Sequence, residues 1–223
     1  MKLEKRNDEL LEKWKIARPE YKTFMNDGIL CESIYNKAIP RICFLLKEGN
    51  DNFVDIAPIG NDEGYGPDGN SKVFWRLMSS WIYVMTCAWN NLKLDEKVLY
   101  ECREGPVDSI AYINIKKFCE NKSNSNHNDL LEYARRDKEF LIKQIKIANP
   151  DIIYCGGTKL LFDELYQSQK IEDRVYLTNK RVIVDYYHPS CRKGYKTANE
   201  LYLLLTKKKV KMEINNIKLS GKK

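Results

Sequence analysis

The chain has 223 residues, 43% of them hydrophobic, which suits one α/β domain with a sizeable core better than two domains. It contains no run of eighteen apolar residues, and its charged N-terminal segment lacks the apolar centre of a secretion signal, so we expect no membrane span and a cytoplasmic protein. The net charge is +7, and most of it comes from seven lysines and one glutamate between Lys207 and Lys223.

The cysteine pattern indicates a reduced protein. The chain has seven cysteines, and no two of them have C-x-x-C spacing. The odd number, and the position of Cys43, Cys87 and Cys155 within apolar runs, are typical of cysteines that serve as small core residues. We therefore expect no metal site.

The first part of the chain predicts a helix, a buried strand and a long loop. Residues 3–17 have the apolar spacing of an amphipathic helix, and the continuous apolar run over 42–46 is typical of a strand covered on both faces. Five glycines and two prolines lie between residues 49 and 71, which predicts a loop. Loops of this length inside a domain are usually functional or disordered.

The rest of the chain alternates helices and strands. In order, it predicts a helix over 71–89, a strand over 109–117, a helix over 128–150 with Asn128 as its N-cap and Pro150 beyond its end, a strand over 151–158, a helix over 159–169, a strand over 182–187 and a helix over 197–208. This alternation predicts a three-layer α/β/α fold whose central four-stranded sheet is mostly parallel. We expect one domain over residues 1–206 and a basic tail over 207–223, which either holds nucleic acid or is a flexible, solvated end.

Polar and small residues collect at the predicted carboxyl ends of the four strands, where ligands bind in such sheets. The first end offers Lys47, Glu48, Gly49, Asn50 and Asp51, the second Asn114, Lys116 and Lys117, the third Gly156, Gly157 and Thr158, and the fourth His188, Ser190 and Arg192. Each set alone also fits an ordinary cap or turn, and the glycine pair does not match a phosphate-binding loop. The convergence of all four ends is what predicts a functional cleft.

Three short motifs at these ends resemble those of the uracil-DNA glycosylase superfamily. His188-Pro189-Ser190 after the fourth strand is the clearest match. "YINIKK", with Asn114, is similar to the second motif of the family, and "NPDIIYCGGT" is similar to the third. The first motif departs from the family forms, which resemble G-Q-D-P-Y-H, G-E-A-P-G or G-I-N-P-G, because residues 46–51 read "LKEGND". The resemblance covers residues 41–192, without the four-cysteine cluster of some subfamilies.

The resemblance implies a monofunctional DNA glycosylase that hydrolyses the bond between a flipped base and its sugar, without metal or cofactor. His188 would donate a hydrogen bond to the leaving base, and Glu48 or Asp51, with Asn50 as a third choice, would position water and stabilise the sugar cation. The other implied roles are substrate binding by Asn50, Phe53, Tyr65 and Asn114, and DNA binding by Lys117, Gly157, Thr158, Ser190 and Arg192.

The family's default base is uracil, while the altered first motif and the long loop leave room for a modified pyrimidine. Excision of uracil implies a role in DNA repair, and excision of a modified cytosine implies anti-phage defence. We expect DNA as the partner and a monomeric protein. Two other classes stay open: a non-catalytic nucleic-acid-binding module of the same fold, which the altered first motif favours, and a small-molecule nucleoside hydrolase.

Overall fold

The computed structural model describes residues 2–49, 69–101, 107–118, 126–178, 180–191, 194 and 196–220. The helices in these ranges are α1 (Leu3–Ala17), α2 (Glu32–Tyr35), α3 (Gly69–Trp89), α4 (Glu96–Glu101), α5 (His127–Arg136), α6 (Lys138–Ala148), α7 (Lys159–Leu165), α8 (Lys196–Leu205) and α9 (Lys208–Ser220). The strands are β1 (Gly28–Ile29), β2 (Ile42–Leu46), β3 (Ile110–Asn114), β4 (Ile152–Gly156), β5 (Gln169–Glu172), β6 (Val175–Thr178) and β7 (Arg181–Tyr186).

Seven strands of the described residues form one sheet, in the order β1-β3-β2-β4-β7-β6-β5. The four central strands, β3, β2, β4 and β7, are parallel, and the outer strands pair antiparallel with their neighbours. The predicted α/β fold with a mostly parallel centre is confirmed, whereas the prediction of four strands is wrong. Apolar periodicity did not predict the three outer strands. The reason is that β1 has only two residues, and β5 and β6 mix polar residues with apolar ones.

Helices cover both faces of the sheet, and β2 lies between two cores. Ile42, Phe44 and Leu46 belong to a core that also contains side chains of α3, α8 and α9. Cys43 and Leu45 belong to a second core with side chains of α1, α5, α6 and α7. Because both faces of β2 are shielded from water, every residue of this strand is apolar. Each fully buried aliphatic side chain stabilises the fold by about 1.5–3 kcal/mol.

The described helices include none with both the length and the apolar character needed to cross a membrane.

The helix predicted between the second and third parallel strands is two helices, α5 and α6, which meet at Asp137. The buried carboxylate of Asp137 accepts hydrogen bonds from Arg18 Nε at 2.7 Å and from the Tyr21 hydroxyl at 2.6 Å. The hydrogen bonds of Asp137 with Arg18 and Tyr21, which are far away in the sequence, form where α5 ends and α6 begins. The N-cap is Asn126, whose side chain accepts from the backbone N–H of Asn128, so the predicted cap was two residues late.

Much of the expected basic tail is helix α9, which packs on the body. Val210 and Ile214 are buried in the core beneath α3. Lys218 Nζ donates a hydrogen bond to the backbone carbonyl of Trp89 at the end of α3. A helix fixed by two apolar side chains and a polar contact does not fit a flexible end.

Candidate active site

The parallel register places the last residues of the four central strands in one row. Leu46 of β2 pairs with Asn114 of β3, and Gly156 of β4 pairs with Tyr186 of β7. The β2 and β4 strands pair in step as far as Leu45, so Leu46 and Gly156 are level. With about 4.8 Å between neighbouring strands, the row is roughly 14 Å wide. The four carboxyl ends are therefore neighbours at one edge of the sheet.

Three titratable side chains lie two positions beyond this row, namely Glu48, Lys116 and His188. Leu46 and Tyr186 belong to the core beneath α3. His188 lies on the α3 side of the sheet, next to Phe74. Glu48 follows the end of β2 and is paired with Lys116. The backbone N–H of Lys116 donates to the carbonyl of Lys47 at 3.0 Å, which extends the β2–β3 pairing to this level.

Glu48 and Lys116 form an ion pair at the centre of this edge. Lys116 Nζ is 3.0 Å from Glu48 Oε2, and the two side chains are only 5% and 15% exposed, respectively. The Lys116 ammonium also lies over the rings of Phe118, at 4.4 Å, and Tyr133, at 5.2 Å. Water screens such a pair little, so Lys116 fixes the place of the candidate catalytic carboxylate.

His188 is partly buried and has a defined hydrogen-bond partner in Ser190. The backbone N–H of Ser190 donates to His188 Nδ1 at 3.2 Å, and Ser190 Oγ lies 2.7 Å from the same nitrogen. Burial, followed by the charge of Lys47, lowers the pKa of His188 to about 4. The imidazole is therefore neutral at pH 7, and because Nδ1 accepts, its proton resides on Nε2.

An aromatic ring of α3 faces this histidine. The Phe74 ring centroid is 6.2 Å from that of His188 and 6.5 Å from that of Tyr112 on β3. The sequence predicted substrate-binding rings at Phe53 and Tyr65 and did not single out Phe74. Its position in the second turn after the glycine-rich segment is the signal that could have singled it out.

The two glycines at the end of β4 have different roles. A Cβ on Gly156 would lie 2.4 Å from Leu46 Cδ2, so a side chain does not fit there without displacing its neighbour. Gly157 is exposed and has φ +70°, a conformation that favours glycine. Thr158 is fully buried, and its hydroxyl donates to the Leu45 carbonyl at 2.6 Å. Thr158 therefore joins β4 to β2, which does not fit the predicted contact with DNA.

Asn114 is fully buried at the end of β3. Its backbone N–H donates to Asp27 Oδ2 at 2.7 Å, and its side-chain Nδ2 donates to Met25 Sδ at 2.9 Å. Within the described ranges, Asn114 Oδ1 has no hydrogen-bond partner. The amide is thus held in place, and its Oδ1 is a buried acceptor that no ligand can reach in this conformation.

Lys117 does not fit the DNA contact predicted for it. Its side chain is 0% exposed, and its ammonium forms an ion pair with the equally buried carboxylate of Asp27. Lys117 Nζ also lies 5.0 Å from the ring centroid of Trp14. Burial lowers the pKa of Lys117, and the charge of Asp27 partly opposes that shift. The side chain belongs to the interior beneath α1, where it cannot reach a phosphate.

Five predicted site residues lie outside the described part of the chain, so the predictions about them stay predictions. They are Asn50, Asp51, Phe53, Tyr65 and Arg192. Of the other residues implied in DNA binding, Gly157 and Ser190 are exposed at the carboxyl edge. Among the described residues, no group of three or more His, Cys, Asp or Glu side chains is placed to hold a metal ion.

No protein-family model matches the chain, and no curated protein shows significant sequence similarity to it.

Proposed function

We propose that the protein is a monofunctional DNA glycosylase with a fold like that of uracil-DNA glycosylase, and that it hydrolyses the N-glycosidic bond of a flipped uracil or modified pyrimidine. One observation carries the proposal. A lysine-paired carboxylate, Glu48, and a neutral imidazole, His188, follow the carboxyl ends of β2 and β7 at one edge of the sheet, two strands apart. Hydrolysis of this bond needs an anion near the sugar and a donor near the base.

His188 serves the leaving base. As the bond breaks, the base takes up negative charge, and a fixed donor lowers the energy of that state. The Ser190 N–H occupies Nδ1, so Nε2–H is the group that donates to a base oxygen. A neutral donor near the base suits a step in which the charge forms only at the transition state, because it favours the transition state over the ground state.

Glu48 serves the sugar and the water. A carboxylate next to the sugar stabilises its oxocarbenium-like charge and orients the attacking water. Lys116 holds the carboxylate at 3.0 Å, which limits its motion. The two roles then fall on opposite sides of β4, which lies between β2 and β7.

The base must leave the DNA stack to reach this edge. Phe74, next to His188, would contact the face of the base. Asn114, at the end of β3, would meet the polar edge of the base through Oδ1 once the side chains that cover this atom move aside. The exposed Gly157 and Ser190 allow close approach of the sugar-phosphate backbone. The chain thus has groups for the base, the sugar and the phosphates.

The test is mass spectrometry of bases released from oligonucleotides that carry uracil, hypoxanthine or glucosylated 5-hydroxymethylcytosine. We expect release by the wild type and a loss of about 100-fold or more in Glu48→Gln and His188→Ala. Matched controls are Glu139→Gln, whose side chain is 87% exposed, and His127→Ala, also exposed, and neither should change the rate.

The same panel separates the other classes of function. Tight binding of these oligonucleotides without release of any base would identify a non-catalytic module. Hydrolysis of free nucleosides but not of DNA would identify a nucleoside hydrolase. Which base is released decides between repair of uracil and defence against modified cytosine.

A further inference from the structure

Lys47 differs from the other lysines at the carboxyl edge of the sheet. Lys116 is paired with Glu48, and Lys117 is paired with Asp27. In the described part of the chain, no hydrogen bond or ion pair involves the Lys47 ammonium, although the side chain is partly buried. A partly buried cation with no anion among these residues is costly, and it fits a site whose anion arrives with the ligand.

The position of Lys47 is next to the histidine that serves the base. Lys47 Cε lies 3.6 Å from the point where a Cβ on Gly157 would be. The corresponding point on the preceding residue, Gly156, lies 3.6 Å from the Cα of His188. The two glycines therefore bring the stem of Lys47 and the backbone of His188 against the same short turn. The effect of Lys47 on the pKa of His188 agrees with this proximity.

We propose that Lys47 is a further catalytic residue, whose ammonium contacts the leaving base and, together with His188 Nε2–H, takes up its negative charge. The inference rests on the proposed glycosylase function. The bond between the sugar carbon and the base nitrogen breaks, and its electron pair goes to the base. Water adds its hydroxyl to the sugar, and its remaining proton passes to Glu48 and finally to the released base. The cation compensates the charge on the base without giving up a proton.

A contact with a DNA phosphate is the rival role for the same ammonium, and the two roles respond differently to the leaving base. A group that stabilises the departing anion matters most for a base that leaves poorly. A phosphate contact strengthens binding of every oligonucleotide to the same extent. Fluorine at position 5 makes a pyrimidine a better leaving group while changing its size little, so matched pairs of bases distinguish the roles.

The experiment compares wild type, Lys47→Met and Lys47→Arg on oligonucleotides with uracil or 5-fluorouracil, and with cytosine or 5-fluorocytosine. For the unsubstituted base of the pair that is released, we expect kcat to fall about 10- to 100-fold in Lys47→Met, with KM little changed. The loss should be several-fold smaller for the fluorinated partner, and Lys47→Arg should retain most of the rate. Lys180→Met, which removes an exposed lysine before β7, is the control for net charge and should match the wild type.

A second measurement does not depend on activity. Nuclear magnetic resonance of the imidazole of His188 should show a higher pKa in Lys47→Met than in the wild type, because a neighbouring positive charge has been removed. An unchanged pKa would show that Lys47 is too far from His188 to share its charge, and would overturn the proposal.

The kinetic outcomes also separate this proposal from the one on which it rests. Equal losses for both members of a pair, or a change in KM alone, would overturn the role of Lys47 and leave the glycosylase function standing. Release of no pyrimidine by the wild type would overturn both.

Discussion

Lys116 Nζ lies 3.0 Å from Glu48 Oε2, and both side chains are largely shielded from water. Neither residue is close to the other in the chain, and the parallel register of β2 and β3 is what brings them together. The pair turns an ordinary strand-end glutamate into a carboxylate of fixed position.

Replacing Lys116 by methionine should slow base release. Glu48 would lose its partner, and a displacement of about 1 Å in a catalytic group can cost about 100-fold in rate, so we expect a fall of about 10- to 100-fold. The measurement is single-turnover release, with thermal unfolding to verify that the variant is folded. The control is Lys143→Met, which removes an exposed pair with Glu139 at 3.9 Å and should leave the rate unchanged. A folded Lys116→Met protein with the wild-type rate would contradict the positioning role.

His188 should titrate with a pKa of about 4, mainly because it is buried. The chain has only two histidines, so nitrogen-15 spectra resolve both imidazoles. We expect the Nε2–H tautomer of His188 throughout pH 6 to 8, because Ser190 donates to Nδ1. A charged His188 at pH 6, or a proton on Nδ1, would contradict the proposed donor.

The same shift predicts how stability depends on pH. An unfolded histidine binds its proton near pH 6.5, whereas the folded His188 resists protonation until about pH 4. The stabilisation that neutral, buried His188 gives to the folded state is therefore complete above pH 6.5. It is lost as the pH falls from 6.5 to 4. Denaturant unfolding of the wild type and of His188→Gln measures it, and the difference between their free energies of unfolding should narrow over that range. If the difference between the two free energies of unfolding does not change with pH, the lowered pKa of His188 is wrong.

Lys117→Met should destabilise the protein strongly. The substitution leaves the buried Asp27 carboxylate without its cation, and breaking such a pair costs about 3–5 kcal/mol. The double variant Asp27→Asn with Lys117→Met should recover part of the free energy of unfolding, since no lone charge is then buried. That variant should also bind DNA with wild-type affinity. A clear loss of affinity in the folded double variant would restore Lys117 as a DNA contact.

Helix α9 should contribute to the stability of the whole fold. Ile214 is 2% exposed, and replacing a buried isoleucine by alanine costs about 2–5 kcal/mol. Met212 on the same helix is 54% exposed, so Met212→Ala is the matched control, with an expected change within about 0.5 kcal/mol. Equal effects of the two substitutions on the free energy of unfolding would indicate that α9 does not pack as described.

Local patterns were enough to locate the four parallel strands and the residues at their carboxyl ends. The apolar runs of β2 and β4 are continuous because both faces of these strands are buried. Such a run can be recognised from the local sequence alone. Glycine and polar residues mark where each run stops. Glu48, Asn114 and His188 could therefore be chosen without coordinates.

Long-range contacts set what those residues do, and no local pattern contains them. Lys116 and Lys117 are adjacent and chemically alike, yet one is paired with Glu48 at the carboxyl edge and the other with Asp27 in the interior. Both ammonium groups lie over rings on the same side of the sheet, and their different partners come from segments dozens of residues away. The same holds for Phe74, which meets His188 because α3 packs on one face of the sheet as far as its carboxyl edge. Periodicity reports which face of an element is buried, whereas strand register and helix packing decide what that face touches.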